Sequence, residues 1–583
     1  MNKPNRSQKQ NPNKRRNDPS KQPDSESSGS PSPYCTLFLC TLEQLTALSV
    51  GGRDGDADGT LHDLPLARDG KGRAVLNGRT LAGALVATAR TFLTVPDDIS
   101  LIGGAPDDRA RPPSLWSVWN AHRLHMQAQG PETDSRPGSA QRHDTRAAAS
   151  HMLFDTEVLP SGQHWQMIIE VWHPASAALQ QGAEPSPGRR AAAVLALTLQ
   201  EWARGRCWIG RRVARGLGWM RLADCQVVEL PRSKDAVNAW PKASLADLDA
   251  IWKHALELSK SAPGTLTQSL VDYAQSNALL AGARAPRRAY VRWPLRLATG
   301  VHEVTTGEPA CTLSYGLDVL SVGGHGGSAV VAEALENRLV RSQEQCWEAY
   351  SESFAPDFVV AMQPGSVVPD VPGSAIAGAW RHFLSRLARA AGQAVLDPAT
   401  GAIKAGGAGP QDGAIAAQDV ITPLFGFVSV DGAASSALLV RDASMAPGSQ
   451  WKVALLEKVA LDEFTQGAFK GAKFNRMAVL EGQWQFDLVQ EIDLEESDDM
   501  PPMSPMQRVQ QSTALVWGLL EATAQRRVAV GGGEFRAYGH LPVTVDAEPG
   551  CQWAVAGEDW QSWPAAEPDQ MTAQHASSHQ EGT

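Results

Sequence analysis

The pentapeptide Leu-Ser-Val-Gly-Gly stands twice in this chain, at Leu48–Gly52 and at Leu320–Gly324, and each copy opens a series of landmarks that follow in the same order. His62-Asp63-Leu64-Pro65 is matched by Pro356-Asp357-Phe358-Val359 at an offset of 294, and Leu76–Ala84 by Val371–Ala379 at 295. Thr145/Thr465, Phe154/Phe474 and Gly162/Gly482 stand at 320, while Gly210/Gly531, Arg215/Arg536 and Gly218/Gly539 stand at 321. Offsets that grow as insertions accumulate mark a duplicated unit, and a period this long means two tandem domains rather than solenoid repeats. Whatever fold the first half adopts, the second must be able to adopt as well.

The periodicity gives the same element order in both halves. Tyr34–Leu48 reads as a strand that ends at the Gly51-Gly52 turn. Thr80–Phe92 reads as a helix with Leu81, Leu85, Ala89 and Phe92 on one face. Its counterpart has Ser374 as a candidate cap and buries Ile376, Trp380, Phe383 and Leu387. Trp165, Met167, Ile169 and Val171 alternate with more polar neighbours, as do Trp484, Phe486 and Leu488, which predicts a half-buried strand in each half. Second helices follow over Ala191–Arg204, with Leu195, Leu199 and Trp202 inward, and over Ser512–Gln525, with Leu515, Leu519 and Ala522 inward. Each closes into a Gly/Arg loop and a last strand. Strand, helix, strands, helix, strand is an α+β arrangement, the ferredoxin-like order also used by RNA-recognition domains.

The expected organisation is a disordered basic arm over 1–33, a first domain over 34–232, a partly helical connector over 233–285, a second domain over 286–545 and an acidic flexible tail over 546–583. The arm carries seven Lys/Arg against three Asp/Glu and no apolar stretch, so it reads as neither signal peptide nor core. The second half uses 33 residues from Gly324 to Asp357 where the first uses 11 from Gly52 to Asp63, which implies a loop insertion. Gly392–Asp419, rich in Ala and Gly, reads as another exposed loop. No window approaches the roughly 18 apolar residues of a membrane helix, so no membrane partner is expected. Seven scattered cysteines without a Cys-x-x-Cys pair suggest neither a disulfide framework nor a zinc site, and a reducing cytoplasm is the simplest compartment.

The formal net charge of −10 argues against a nucleic-acid partner until its placement is considered. Residues 546–583 hold seven acids and no Lys or Arg, whereas Arg204, Arg206, Arg211, Arg212, Arg215 and Arg221 follow one another with no acid among them. Phosphate binding depends on nearby cations rather than the total.

These motifs resemble a family. Val371-Pro372-Gly373-Ser374-Ala375-Ile376-Ala377-Gly378-Ala379-Trp380-Arg381, and less faithfully Leu76–Leu85, are similar to a glycine turn of the RAMP superfamily of CRISPR-associated proteins. Within it the chain resembles the Cas-seven-like backbone subunits of type III effector complexes. Leu461–Ala468 and His143–Ala148 look like that family's thumb hairpin, and Pro423-Leu424-Phe425-Gly426 matches another of its phrases, for which the first half has Leu115-Trp116-Ser117. The resemblance spans about residues 34–232 and 286–545 and implies two tandem ferredoxin-like domains, with crRNA, complementary target RNA and other type III effector subunits as partners.

Candidate site residues follow from the motifs and the resemblance together. Glycines let backbone N–H groups approach phosphates and arginines give bidentate contacts, so Arg211, Arg212, Arg215 and Gly216 are candidate RNA contacts, with Gly531, Gly532 and Arg536 at the matching loop. The resemblance adds Gly78, Arg79, Gly373 and Ser374 at the glycine turns and Thr145 and Thr465 in the hairpins. It also implies that Asp63, and Asp357 at the equivalent position, cleave target RNA by promoting attack of the 2′-OH on the adjacent phosphate, with Mg2+ as the implied cofactor although no dedicated metal site is evident. His62 stands beside Asp63 as a possible acid. Four readings stay open: a cleaving endoribonuclease subunit, an RNA-binding scaffold without chemistry, a crRNA-processing endoribonuclease, and a protein-only interaction role independent of RNA. The third needs a catalytic histidine, and no histidine repeats between the halves.

Overall fold

A computed structural model describes residues 33–51, 63–93, 102, 114–124, 133–141, 148–173, 186–232, 248–261, 266–281, 285–299, 360–366, 368–393, 395–396, 403–404, 421–429, 432–461, 465, 467–495, 503–531 and 539–564. The first half runs β1 (Cys35–Gln44), β2 (Val75–Leu76), α1 (Gly78–Ala89), β3 (Trp116–Val118), β4 (Ala121–Arg123), the hairpin β5 (Asp134–Gln141) and β6 (Ala148–Val158), β7 (His164–Trp172), α2 (Pro187–Ala203), β8 (Cys207–Trp208) and β9 (Trp219–Leu230). After it come α3 (Leu248–Ser261), β10 (Leu266–Ser269) and α4 (Leu270–Asn277). The second half starts with β11 (Arg288–Thr299) and α5 (Gly373–Ala390). Two small hairpins, β12 (Val395–Leu396) with β13 (Ile403–Lys404) and β14 (Phe427–Ser429) with β15 (Gly432–Ala434), flank α6 (Ile421–Phe425). Then come β16 (Leu438–Val440), β17 (Ser444–Met445), the long hairpin β18 (Lys452–Leu461) and β19 (Ala468–Asp493), α7 (Pro505–Ala524), β20 (Val543–Val545), β21 (Gln552–Val555) and β22 (Gln561–Ser562).

Both large sheets are antiparallel and share one order. β1 lies between β9 and β7, and β7 carries β3 and β4 on its other edge. Likewise β11 lies between β20/β21 and β19, and β19 carries β16 and β17. The helices fall where expected, with Leu81, Leu85, Ala89 and Phe92, and Leu195, Leu199 and Trp202, all buried. Cys35–Leu42 is almost continuously apolar because β1 is covered on both faces: α1 and α2 pack on one, and Ile251, Ala255 and Leu258 of α3 cover Cys35, Leu37 and Leu39 on the other. In the second half Trp293, Leu295, Trp380, Trp484, Leu488 and Leu519 form the core.

Several expectations need correction. Ser374 does not cap α5: Pro372 holds the cap position without a side-chain bond. The buried stripe of α5 runs Ile376, Trp380, Leu384, Ala388, which leaves Leu387 53% exposed. α7 starts at Pro505, well before Ser512, behind a reciprocal Ser504/Gln507 capping box. The connector joins the first domain, since β10 pairs with β9 and Tyr273 of α4 enters the first core. Residues 546–564 are not a flexible tail: β21 pairs with β11 and β22 with β21. The expected arm over 1–32, the second Leu-Ser-Val-Gly-Gly copy and residues 565–583 lie outside the described residues.

The duplication is most legible where the first helix of each half begins. Gly78 N–H donates to Asn120 Oδ1 at 2.8 Å, and Gly373 N–H to Asp442 Oδ1 at 2.7 Å. A Cβ on Gly78 would lie 2.2 Å from Val118 O, and one on Gly373 2.2 Å from Val440 O. Glycine is therefore required at both positions for the same reason, close approach of helix to strand. By contrast Gly83 and Gly378, one turn later, have open space where a Cβ would go. Gly83→Ala and Gly378→Ala should each raise stability by about 0.5–1 kcal/mol, and Gly78→Ala and Gly373→Ala should each lower it by about 1–3 kcal/mol. Chemical denaturation of the four variants tests both signs.

Candidate functional site

Asp63 is exposed and sits where the first loop meets the hairpin. Its Oδ2 accepts the Asp155 N–H at 2.9 Å, and Leu64 continues the contact as a parallel bridge to Thr156. Buried Glu157 fastens the same segment, accepting the Leu66 N–H at 2.9 Å and the Arg68 guanidinium. The Asp155 carboxylate in turn accepts the Ser135 hydroxyl. The carboxylate of Asp63 is thus presented to solvent on a backbone anchored at three successive hairpin residues.

The arginine loop reaches the same hairpin from the other side. Arg212 lies with its guanidinium 4.1 Å from the centre of the Phe154 ring, next in sequence to the residue that holds Asp63. Arg211 donates its N–H to Ser49 O at 2.8 Å and lays its side chain against Gly51. Arg215 is exposed at the end of a short 3-10 turn. Burial pushes Arg212 down to about 10, and Arg215, Arg136 and Arg211 add like-charge repulsion. Among the described residues no carboxylate forms an ion pair with Arg211, Arg212 or Arg215. A cluster of guanidiniums without acids, beside an anchored carboxylate, is suited to a bound polyanion.

The far side of this loop is part of the joint between the halves. Gly216 has φ +101°, and a Cβ there would lie 1.9 Å from Asp442 Oδ1. Arg136, buried on β5, donates to Asp442 at 2.7 Å and stands 3.5 Å from Asp370. Burial pushes Asp370 up to about 7, the adjacent Asp442 carboxylate adds to this, and Arg136 opposes it. Asp442 has the shorter bond to Arg136 and also accepts the Gly373 N–H. Burial pushes Asp442 up as well, so the two carboxyls titrate as a pair, with the Arg136 bond and the Gly373 N–H favouring the negative charge on Asp442. A second joint lies around Arg206, which pairs with Glu201 at 3.2 Å, donates to Val555 O and Glu558 O, and packs on Tyr290 and Trp560.

The structure therefore sets Asp63 and Arg212 on neighbouring residues of one hairpin strand, Asp155 and Phe154, while Arg211 lies on Ser49 and Gly51 and Arg215 stands exposed further along the same loop. It places Gly78 and exposed Arg79 at the start of α1, and Gly373 and half-buried Ser374 at the start of α5, against the joint. Gly531 opens a loop closed by Val530 N–H to Gly539 O, as Ile209 N–H to Gly218 O closes the first. Thr465 Oγ1 accepts the Gly467 N–H at the second hairpin tip. Asp357, Thr145, Gly532, Arg536 and His62 lie outside the described residues. Sequence reasoning missed Arg136, Asp370, Asp442 and Asn120, although Asn120 and Asp442 share the offset of 322 that also relates Val118 to Val440. The expected Mg2+ finds no protein cage: among the described residues no three His, Cys, Asp or Glu side chains are grouped to hold a metal. No helix among them is long and apolar enough to cross a membrane. The chain matches no known family model, and no curated protein matches it.

The Asp370 shift carries a sign. Its folded carboxyl holds a proton from about pH 4, where an unfolded Asp releases it, up to about 7. The contribution to stability is therefore complete below pH 4, falls as pH rises to about 7, and is flat above that. The difference in melting temperature between wild type and Asp370→Asn should accordingly drift between pH 5 and 7.5 and level off beyond. A constant difference would mean that Asp370 titrates normally. Arg136→Met, which strands the acids, should cost about 3–5 kcal/mol.

Proposed function

We propose that the chain is a double backbone subunit of a type III CRISPR interference complex, built of two ferredoxin-like RAMP domains that hold crRNA and cleave complementary RNA in the cytoplasm alongside other subunits of the complex. The observation that carries this reading is that Arg212, on a loop whose Arg211, Arg212 and Arg215 form no ion pair among the described residues, and the backbone-anchored carboxylate of Asp63 are held by neighbouring residues of one hairpin strand. The shared strand order of the halves and the hairpin in each support it further.

In this mechanism the arginines hold the RNA backbone through its phosphates. Asp63 takes the proton of a 2′-OH, whose oxygen attacks the adjacent phosphorus to form a 2′,3′-cyclic phosphate while the 5′ oxygen leaves in line and takes a proton from water. Arg211, Arg212 and Arg215 balance the charge that develops on the phosphate oxygens. Positioned proton transfer of this kind contributes about 10²–10⁴-fold.

The full chain should purify with small RNA, read as a raised 260/280 absorbance ratio. Replacing Arg211, Arg212 and Arg215 by Ala should lower retention of all RNA sequences alike and flatten the log affinity against log salt slope by about 2. Asp63→Ala should keep the guide but lose one cut in a labelled complementary target by at least about 100-fold. Unchanged cleavage in Asp63→Ala ends the catalytic assignment, and a chain free of nucleic acid ends the RNA reading.

A further inference from the structure

Two thiols face each other inside the first domain. Cys40 on β1 and Cys225 on β9 are directly opposed in the antiparallel register. Their Sγ atoms stand 3.3 Å apart, with Cys40 donating. Both belong to the first core together with Phe38, Leu42 and Val227, and both are free cysteines. Sequence spacing hides the pair, since 185 residues separate its members.

The geometry is close to that of a bond. Directly opposed residues on paired strands have Cβ atoms about 4.5–5.5 Å apart, and a disulfide needs about 3.5–4.5 Å. Closure therefore asks the strands to approach by up to about 1 Å. The register shifts just beyond Thr41, where Ala223 is the extra residue on β9, two residues from Cys225. A bulge there gives β9 the local slack for that approach.

We propose that Cys40 and Cys225 are a reversible modification site, two thiols that a hydroperoxide converts to a disulfide stapling β1 to β9. Cys225 is 5% exposed and Cys40 is fully buried, so the oxidant meets Cys225 first. The Cys225 sulfur attacks the peroxide, the O–O bond breaks, and a sulfenic acid forms as one water leaves. The Cys40 sulfur then displaces the sulfenic oxygen, which departs with the Cys40 proton as a second water. Two thiols and one peroxide thus become one disulfide and two waters, and two electrons pass from sulfur to the peroxide oxygens. Burial, reinforced by Cys40, pushes the Cys225 thiol well up, so thiolate is scarce and the first step is slow. The second is fast because the partner sulfur is already in place.

The bond closes a frame under the arginine loop. β1 runs on to Ala47 and Ser49, whose carbonyls accept the N–H groups of Gly218 and Arg211 at 2.8 Å, and β9 starts directly after that loop at Trp219. With residues 40 and 225 joined, the strands that hold both ends of the loop can no longer part. The inference is independent of the RNA reading, because it uses neither Asp63 nor any guanidinium.

Differential alkylation and peptide mapping of the full chain test it. Folded wild type treated with hydrogen peroxide should yield a cross-linked peptide pair holding residues 40 and 225, which dithiothreitol releases. The cross-linked chain should melt at least about 5 °C higher than the reduced one, since the bond closes a long loop of the unfolded chain. Cys225→Val, which keeps an apolar side chain in the core, should abolish that rise. A wild type in which peroxide leaves both thiols free, or carries Cys225 on to the sulfinic acid without a bond to Cys40, overturns the proposal. A cross-linked chain that melts no higher, or an equal rise in Cys225→Val, overturns the staple.

Discussion

One buried arginine decides how the two halves of this chain stand. Arg136 leaves its own domain on a hairpin strand and ends between two carboxylates of the other domain, one of which also caps the first helix there. Desolvating a guanidinium is costly, and the cost is recovered only where geometry and hydrogen bonds are nearly complete. Asp442 supplies a partner at 2.7 Å, and burial raises both carboxyls of the pair, which eases the surplus of negative charge around the one guanidinium. The position of the hairpin is therefore tied to the start of α5, and the loop that follows α2 is carried along, since Gly216 abuts Asp442.

That tie also shapes the candidate site. The hairpin that presents Arg136 to the joint presents Phe154 and the Asp155 N–H from its other strand, two register steps or fewer away from Thr156, the partner of Arg136. Arg212 and Asp63 are held by those two residues. A shift of the hairpin along its own axis would move the carboxylate and the guanidinium together rather than apart. Domain docking and site geometry are thus one mechanical unit, with the joint on one face and the exposed carboxylate on the other.

Much of the fold was legible because duplication supplies a second reading of every element. Gly78 and Gly373, the strand stripes at Trp165 and Trp484, and the helices ending near Ala203 and Ala524 are each marked twice. The face of α5 was misjudged at Leu387 because a stripe that repeats every four residues winds round a 3.6-residue helix, and the far end of α5 meets α6 rather than the sheet. Asp63 stood out from its family-like context, yet the arginine joint left no local mark. Its partners lie 306 and 234 residues away from Arg136, and each is an ordinary charged residue in its own neighbourhood. The strands over 546–564 were hidden by composition, since acids that look like a solvated tail in fact cover a buried cation: Arg206 is 1% exposed beneath them.

That last contact sets an order of events during synthesis. Arg206 and Val555 are 349 residues apart, and nothing after residue 550 exists while the first half is emerging. At about 5–20 residues per second the first domain waits tens of seconds for the segment that covers Arg206, Trp208 and the end of α2. Over that interval it holds an apolar and cationic patch open to the surrounding medium, which β21 and the turn after it cover once they are made. A chain without residues 551–564 would carry the core of both domains and yet keep that patch uncovered.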